Sequence, residues 1–83
     1  MRSRAATRVA AMVLATVRFW LDDKGWGVLD SPETPGGCWA SFAFVEMPGY
    51  RKLSNGQTVE LEWEVPAGGD YEGWPYFATR VTP

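Results

Sequence analysis

The sequence contains no histidine and only one cysteine, Cys38, among its 83 residues. Without histidine or a second cysteine, the usual zinc sites, catalytic triads and Cys–His dyads are excluded. A lone cysteine cannot form an internal disulfide bond, which fits a reducing compartment. The adjacent carboxylates Asp22 and Asp23 are typical of a turn. The composition therefore predicts a protein that is not an enzyme and holds no metal.

Long apolar runs are also missing. The run from Val9 to Val17 covers nine residues before Arg18, whereas a membrane-spanning helix needs about 20. Residues 1–12 carry three arginines and no acidic residue, which leaves three interpretations open. They form an idle arm or an artefact of a start that belongs at Met12, a basic arm that helps to bind nucleic acid, or an export signal. We expect an arm at 1–12, one domain at 13–83, and no membrane partner.

Basic residues are scarce in the predicted domain. Three of the eight Lys and Arg residues lie in the arm, so five remain against ten acidic residues. The domain therefore carries about five net negative charges, which is unfavourable for binding phosphates.

Five short β-segments are separated by clusters of turn-forming residues. The predicted strands cover residues 13–21, 26–29 or 30, 38–42, 58–65, and 74 or 76 to 81. Alternation in the fourth strand places Val59, Leu61, Trp63 and Val65 inside. With no long helix and no repeats, the pattern predicts an all-β, five-stranded antiparallel barrel of the oligonucleotide-binding (OB) type, with an N-terminal extension.

Aromatic rings recur at sites where a purely structural strand needs no ring on its solvent side. Gly25 and Gly27 flank Trp26, so no Cβ crowds its indole, and another backbone or a ligand could approach closely. Cys38 and Ala40 suit the interior, which leaves Trp39 outside on the same sheet. A row of flat rings edged by cations is typical of proteins that stack the bases of single-stranded nucleic acid.

The segment that carries these rings resembles a known family. Residues 17–29 read V-R-F-W-L-D-D-K-G-W-G-V-L and resemble the opening of the bacterial cold-shock domain, usually V-K-W-F-N-x-x-K-G-[FY]-G-F-I. Residues 38–42, C-W-A-S-F, fall where that family has V-F-V-H-F. Residues 49–53, residues 56–57 and the strand from Val59 continue the match, which covers about residues 15–81.

The resemblance implies a cytoplasmic, monomeric protein that binds single-stranded RNA or DNA, as an RNA chaperone or a regulator of transcription or translation. It implies no cofactor and no catalytic step. The rings it assigns to the nucleic-acid site are Phe19, Trp20, Trp26, Trp39, Phe42 and Tyr50, and the cations are Arg18 and Lys24, with Arg51 and Lys52 as weaker candidates. Phe77 is left unassigned because one extra residue blurs its register.

The first strand contains a conflict between alternation and resemblance. Simple alternation places Val13, Ala15, Val17, Phe19 and Leu21 on one face, whereas the resemblance implies a buried Val17 and an exposed Phe19. A β-bulge near Arg18 would reconcile the two. We therefore predict a bulge at this position.

Three departures from the family pattern bear on affinity. Val28 stands where a second ring is usual, Ser41 where the motif has histidine, and Gly37 where aspartate is common. Each lost ring costs about 1–3 kcal/mol of stacking per base, so binding is expected to be weak and driven by stacking. The alternative is a protein-interaction module on the same barrel, with weak or no nucleic-acid binding.

Overall fold

The computed structural model describes residues 12–83, so the predicted arm, except for Met12, lies outside the described residues. The strands are β1 (Val13–Leu21), β2 (Trp26–Asp30), β3 (Cys38–Ser41), β4 (Thr58–Glu64) and β5 (Tyr76–Thr82), with one 3-10 turn at Phe42–Phe44. These bounds follow the predicted ones closely. The one change of element concerns Phe42, which begins the 3-10 turn instead of ending β3.

The strands close into a barrel in the order β1-β2-β3-β5-β4. The prediction of an all-β, five-stranded barrel is confirmed, but the prediction of purely antiparallel pairing is wrong. β3 and β5 pair in parallel, with Cys38 opposite Tyr76 and Trp39 opposite Phe77. The reason is geometric: strand directions cannot alternate all the way around a closed ring with an odd number of strands.

The turn between β1 and β2 places a cation and a ring side by side. The backbone N–H groups of Lys24 and Gly25 donate to the carbonyl oxygen of Leu21, at 3.0 and 2.8 Å. Gly25 has a φ of 78°, a left-handed conformation that glycine adopts without a steric penalty. Lys24 is exposed in this turn, and Trp26 is the first residue of β2.

The predicted bulge in β1 is confirmed. The register with β2 shifts between Val17 and Phe19, so Arg18 is an extra residue in the ladder. Because side chains alternate along a strand, this residue switches the parity of everything after it. Val17 is buried, Phe19 faces outward, and Trp20 turns inward with only 8% of its surface exposed.

The core therefore contains a tryptophan that the resemblance had assigned to the nucleic-acid site. Trp20 packs in the core cluster, together with Ala15, Val17, Leu29, Cys38, Ala40, Val45, Leu53, Val59, Leu61, Ala78 and Val81. Its backbone N–H donates to Asn55 Oδ1 at 3.0 Å. The resemblance placed Trp20 in the nucleic-acid site, but its ring is buried in the core, because the bulge that exposes Phe19 turns the next residue inward.

β4 follows its predicted alternation only in its first half. Val59 and Leu61 are buried, and Trp63 is partly buried against the core, where its ring meets Tyr76 edge-on at 5.3 Å. Val65 is 62% exposed, contrary to the predicted pattern. A register shift with β5 between Glu62 and Trp63, and the end of β4 at Glu64, explain the change.

Of the two alternatives that the sequence left open at Gly27, close approach by another backbone or by a ligand, the structure shows the first. It pairs with Trp20 in the β1–β2 ladder and is buried. A Cβ at this position would collide with the carbonyl oxygen of Phe19 and come within 2.6 Å of Trp20 Cε3. The space beside Gly27 is thus filled by the bulged strand and leaves no room for a ligand.

Gly27→Ala is expected to destabilise the fold by about 1–3 kcal/mol, because the added methyl overpacks a site bounded by backbone. Thermal unfolding followed by circular dichroism measures the change. Gly68→Ala is the matched control, since no atom lies within 4 Å of a Cβ at that position. Equal melting temperatures for the two variants would contradict this account of Gly27.

Candidate functional site

Four outward-facing residues form a continuous row across the barrel wall. Phe19 of β1 is the register partner of Val28 in β2, Val28 of Trp39 in β3, and Trp39 of Phe77 in β5. Trp26 stands beside this row, 6.0 Å from Phe19 and 6.1 Å from Trp39 between ring centroids. We call the rings of Phe19, Trp26, Trp39 and Phe77 the aromatic surface.

The two tryptophans of this surface are stacked, with nearly parallel ring planes. The planes of Trp26 and Trp39 are inclined by only 26°, and both rings are half-buried. Such an arrangement offers flat apolar faces of the kind on which nucleic-acid bases stack. The prediction that these two rings share one outer face is confirmed.

Two further rings reach the aromatic surface from the loop between β4 and β5, and sequence reasoning missed both. Tyr71 lies 5.0 Å from Trp39 and 5.2 Å from Phe77. Trp74 lies 6.3 Å from Phe19. The available signal was Gly73 between two aromatic residues, since glycine is the preferred second residue of a two-residue hairpin turn.

Residues 71–74 form this hairpin, which we call the aromatic hairpin. Tyr71 N–H donates to Trp74 O at 2.7 Å, and Trp74 N–H donates to Tyr71 O at 2.8 Å. Glu72 and Gly73 have φ values of 52° and 88°, as a type I′ turn requires. Because directly paired residues of a hairpin project to the same side, both rings face the barrel wall.

Val28 shows how closely the hairpin covers the row. It belongs to the outer face, yet its exposed fraction is 0% and it lies outside the core cluster. A Cβ on Gly37 would lie 2.9 Å from Trp74 Cε3 and 3.0 Å from Val28 Cγ1. Trp74, Val28 and Gly37 are therefore packed tightly together. The cold-shock motif has a second ring where this chain has Val28, and here the loop supplies a ring, Trp74, beside that position.

Arg18 is engaged within the protein. Its Nη2 donates to Asp30 Oδ1 at 2.7 Å, its Nε donates to Asp30 Oδ2 at 3.0 Å, and its guanidinium lies 5.4 Å from the centre of the Trp74 ring. These hydrogen bonds raise the pKa of Arg18 and lower the pKa of Asp30. The phosphate contact predicted for Arg18 is thus opposed by a carboxylate that already occupies two of its donors.

The remaining predicted residues lie around a second feature, a surface pocket of about 220 Å³ beside the β1–β2 turn. Phe42 and Tyr50 line it with exposed fractions of 50% and 70%. Lys24 and Arg51 also line it, and neither side chain forms an ion pair within residues 12–83. Lys52 pairs with Asp22 at 3.5 Å.

The pocket adjoins the aromatic surface through Gly25, next to Trp26. A Cβ on Gly25 would lie 2.9 Å from Phe42 Cδ1, and Phe42 N–H donates to Gly25 O at 2.8 Å. All predicted site residues except Trp20 therefore lie on the barrel exterior, in two adjoining groups.

The indole Nε1 of Trp20 is buried and has no hydrogen-bond partner among the described residues.

Reactive groups are scarce in the part of the chain that the structure describes. Burial raises the pKa of the Cys38 thiol to about 12, so the thiolate needed for nucleophilic or redox chemistry does not form near neutral pH. No cluster of three or more metal-ligating side chains occurs in residues 12–83. Within the same residues, no helix has the length and hydrophobicity to span a membrane.

No model of a known protein family matches the chain, and no curated protein matches its sequence. The resemblance to the cold-shock domain therefore stays a prediction that rests on the motifs alone.

Asp30→Asn is expected to reduce stability by about 0–1 kcal/mol at pH 7, as for other exposed ion pairs. The pKa of Asp30 is lowered in the fold, so the pair stabilises the protein above the unfolded-state value of about 3.9. This contribution disappears as the pH falls through the folded-state pKa. Melting temperatures of the two proteins should differ at neutral pH and converge in acid.

Glu33→Gln is the control for this comparison, since Glu33 is an exposed carboxylate without an ion pair in the described residues. It should leave the melting temperature unchanged across the same pH range. A difference between wild type and Asp30→Asn that persists in acid would mean that Asp30 acts through something other than its charge.

Proposed function

We propose that this protein binds unpaired RNA or DNA by stacking bases on the aromatic surface. The observation that carries the proposal is the near-parallel, stacked pair of Trp26 and Trp39, with Phe19 beside it, on one outer face of a barrel. Phe42 and Tyr50 extend the site into the adjoining pocket, where Lys24 supplies a cation for the backbone. Stacking requires only ring faces, so it tolerates every base.

We further propose that the barrel is of the OB type and belongs to a divergent cold-shock protein. The order β4-β1-β2-β3 is that of a Greek key, and β5 closes the ring, as expected for this small barrel class. The proposed role is that of a monomeric, cytoplasmic RNA chaperone or a regulator of transcription or translation. No catalytic step or cofactor forms part of the proposal.

A protein-interaction module is the second candidate function. The described residues include five basic and ten acidic side chains, and three of the five cations pair with carboxylates: Arg18, Lys52 and Arg80. This charge balance favours a partner other than a polyanion. Binding of oligonucleotides decides between the two functions.

Trp26→Ala is expected to lower affinity for a short fluorescein-labelled oligothymidine about tenfold, because one lost stack is worth about 1–3 kcal/mol. Fluorescence anisotropy gives the Kd and circular dichroism checks the fold. Phe44→Ala is the matched control, since Phe44 is 45% exposed but makes no ring contact within residues 12–83. Unchanged binding by a folded Trp26→Ala protein would overturn the proposed site.

Salt dependence is expected to be shallow. Log K for single strands falls by about 0.7 per log unit of salt for each neutralised phosphate, so contacts from Lys24 and Arg51 alone give a slope near −1.4. Titrations of wild type and of Lys24→Gln at several salt concentrations measure it. A slope of about −4 would mean that charge, rather than stacking, drives binding.

A further inference from the structure

We propose that the aromatic hairpin, residues 71–74, is a built-in competitor: it occupies the aromatic surface in the unbound protein and leaves when nucleic acid binds. The proposal rests on the proposed function, because it concerns the same surface. It assigns a regulatory part to a loop that the sequence pattern marked only as a connection.

The first support is that the hairpin rings contact three of the rings on which bases would stack. Tyr71 packs on Trp39 and Phe77, and Trp74 packs beside Phe19. Together they span the whole row from β1 to β5, and Val28 within it is fully covered. A base can reach Phe19, Trp39 or Phe77 fully only when these two rings move aside.

The second support is the state of Arg18. Its guanidinium lies over Trp74 while its Nε and Nη2 hold Asp30, and Nη2 also donates to Gly36 O at 3.3 Å. The contact with Trp74 thus ties the hairpin to Arg18, while Asp30 and Gly36 occupy donors with which Arg18 could bind phosphate. Release of Trp74 frees one face of this cation.

The third support is how the hairpin is attached. Among residues 12–83, no hydrogen bond joins residues 71–74 to a barrel strand, and the two backbone bonds of the hairpin are internal. Packing of its two rings against the aromatic surface, Gly37 and Arg18 supplies the attachment. Glu72 is the one non-glycine residue with positive φ in the described chain, a conformation that is unfavourable for residues with a Cβ. Bases offer the same kind of ring contact, so a bound base can replace the hairpin with little loss of packing energy.

Two variants shift the hairpin in opposite directions. Tyr71→Ser combined with Trp74→Ser removes both rings, and should tighten binding of fluorescein-labelled oligothymidine about tenfold, since the ligand no longer displaces them. Glu72→Asn creates the Asn-Gly pair that type I′ turns prefer and leaves every ring in place. It should stabilise the closed hairpin and weaken binding about two- to fivefold.

Asp70→Asn is the matched control for Glu72→Asn. It removes one negative charge from the same exposed loop but lies outside the turn. Charge alone would make both variants bind a polyanion slightly more tightly, so weaker binding by Glu72→Asn isolates the effect of the turn. Equal shifts for the two variants would overturn the proposal.

A spectroscopic readout follows the hairpin itself in the wild-type chain. Labelling with 5-fluorotryptophan gives one ¹⁹F signal for each indole, and Trp74→Phe assigns the signal of Trp74. Addition of oligothymidine should move that signal to a solvent-exposed position with an increased D₂O isotope shift. A Trp74 signal that becomes more shielded from solvent would count against displacement.

The outcomes separate the two proposals. If wild type binds but the double serine variant binds more weakly while still folded, the hairpin is part of the binding surface; its role as competitor falls and the proposed function stands. If neither wild type nor the double serine variant binds oligothymidine or oligouridine, the proposed function falls, and the competitor role falls with it.

Discussion

The extra residue at Arg18 in β1 is the constraint on which the rest of the structure depends. Without it, strict alternation would turn Phe19 into the barrel and leave Trp20 outside. The bulge reverses both, so one ring enters the core and the other joins the outer row. It also brings the carbonyl of Phe19 against Gly27, where any larger residue would force β1 and β2 apart.

Much of the fold could be predicted because the strands carry their own periodicity. The bounds of β1, and the inward side of Cys38 and Ala40, follow from alternation between clear turn residues. The bulge became predictable only from the conflict between alternation and the cold-shock motif. The parallel pairing of β3 with β5 could have been predicted from the strand count alone. A closed barrel of five strands cannot consist of antiparallel pairs only.

The site was less predictable, because much of it depends on contacts between distant segments. The shared face of Trp26 and Trp39 follows from local parity. The positions of Tyr71 and Trp74 depend instead on how a loop of turn residues folds back, for which periodicity gives no signal. The pairing of Arg18 with Asp30 likewise requires the β1–β2 register, so a cation that looked available in the sequence is occupied in the fold.

The parallel pairing of β3 with β5, which we call the parallel seam, bears on the rate at which the barrel unfolds. The seam has two register pairs, whereas β1–β2 and β4–β5 have five each. It joins segments far apart in sequence, so we expect it to close last in folding and to open first. Trp39 and Phe77 span its outer side, with Tyr71 across them. A group that packs on those rings therefore also holds β3 and β5 together. The occupancy of the aromatic surface is thus coupled to the rate at which the barrel opens.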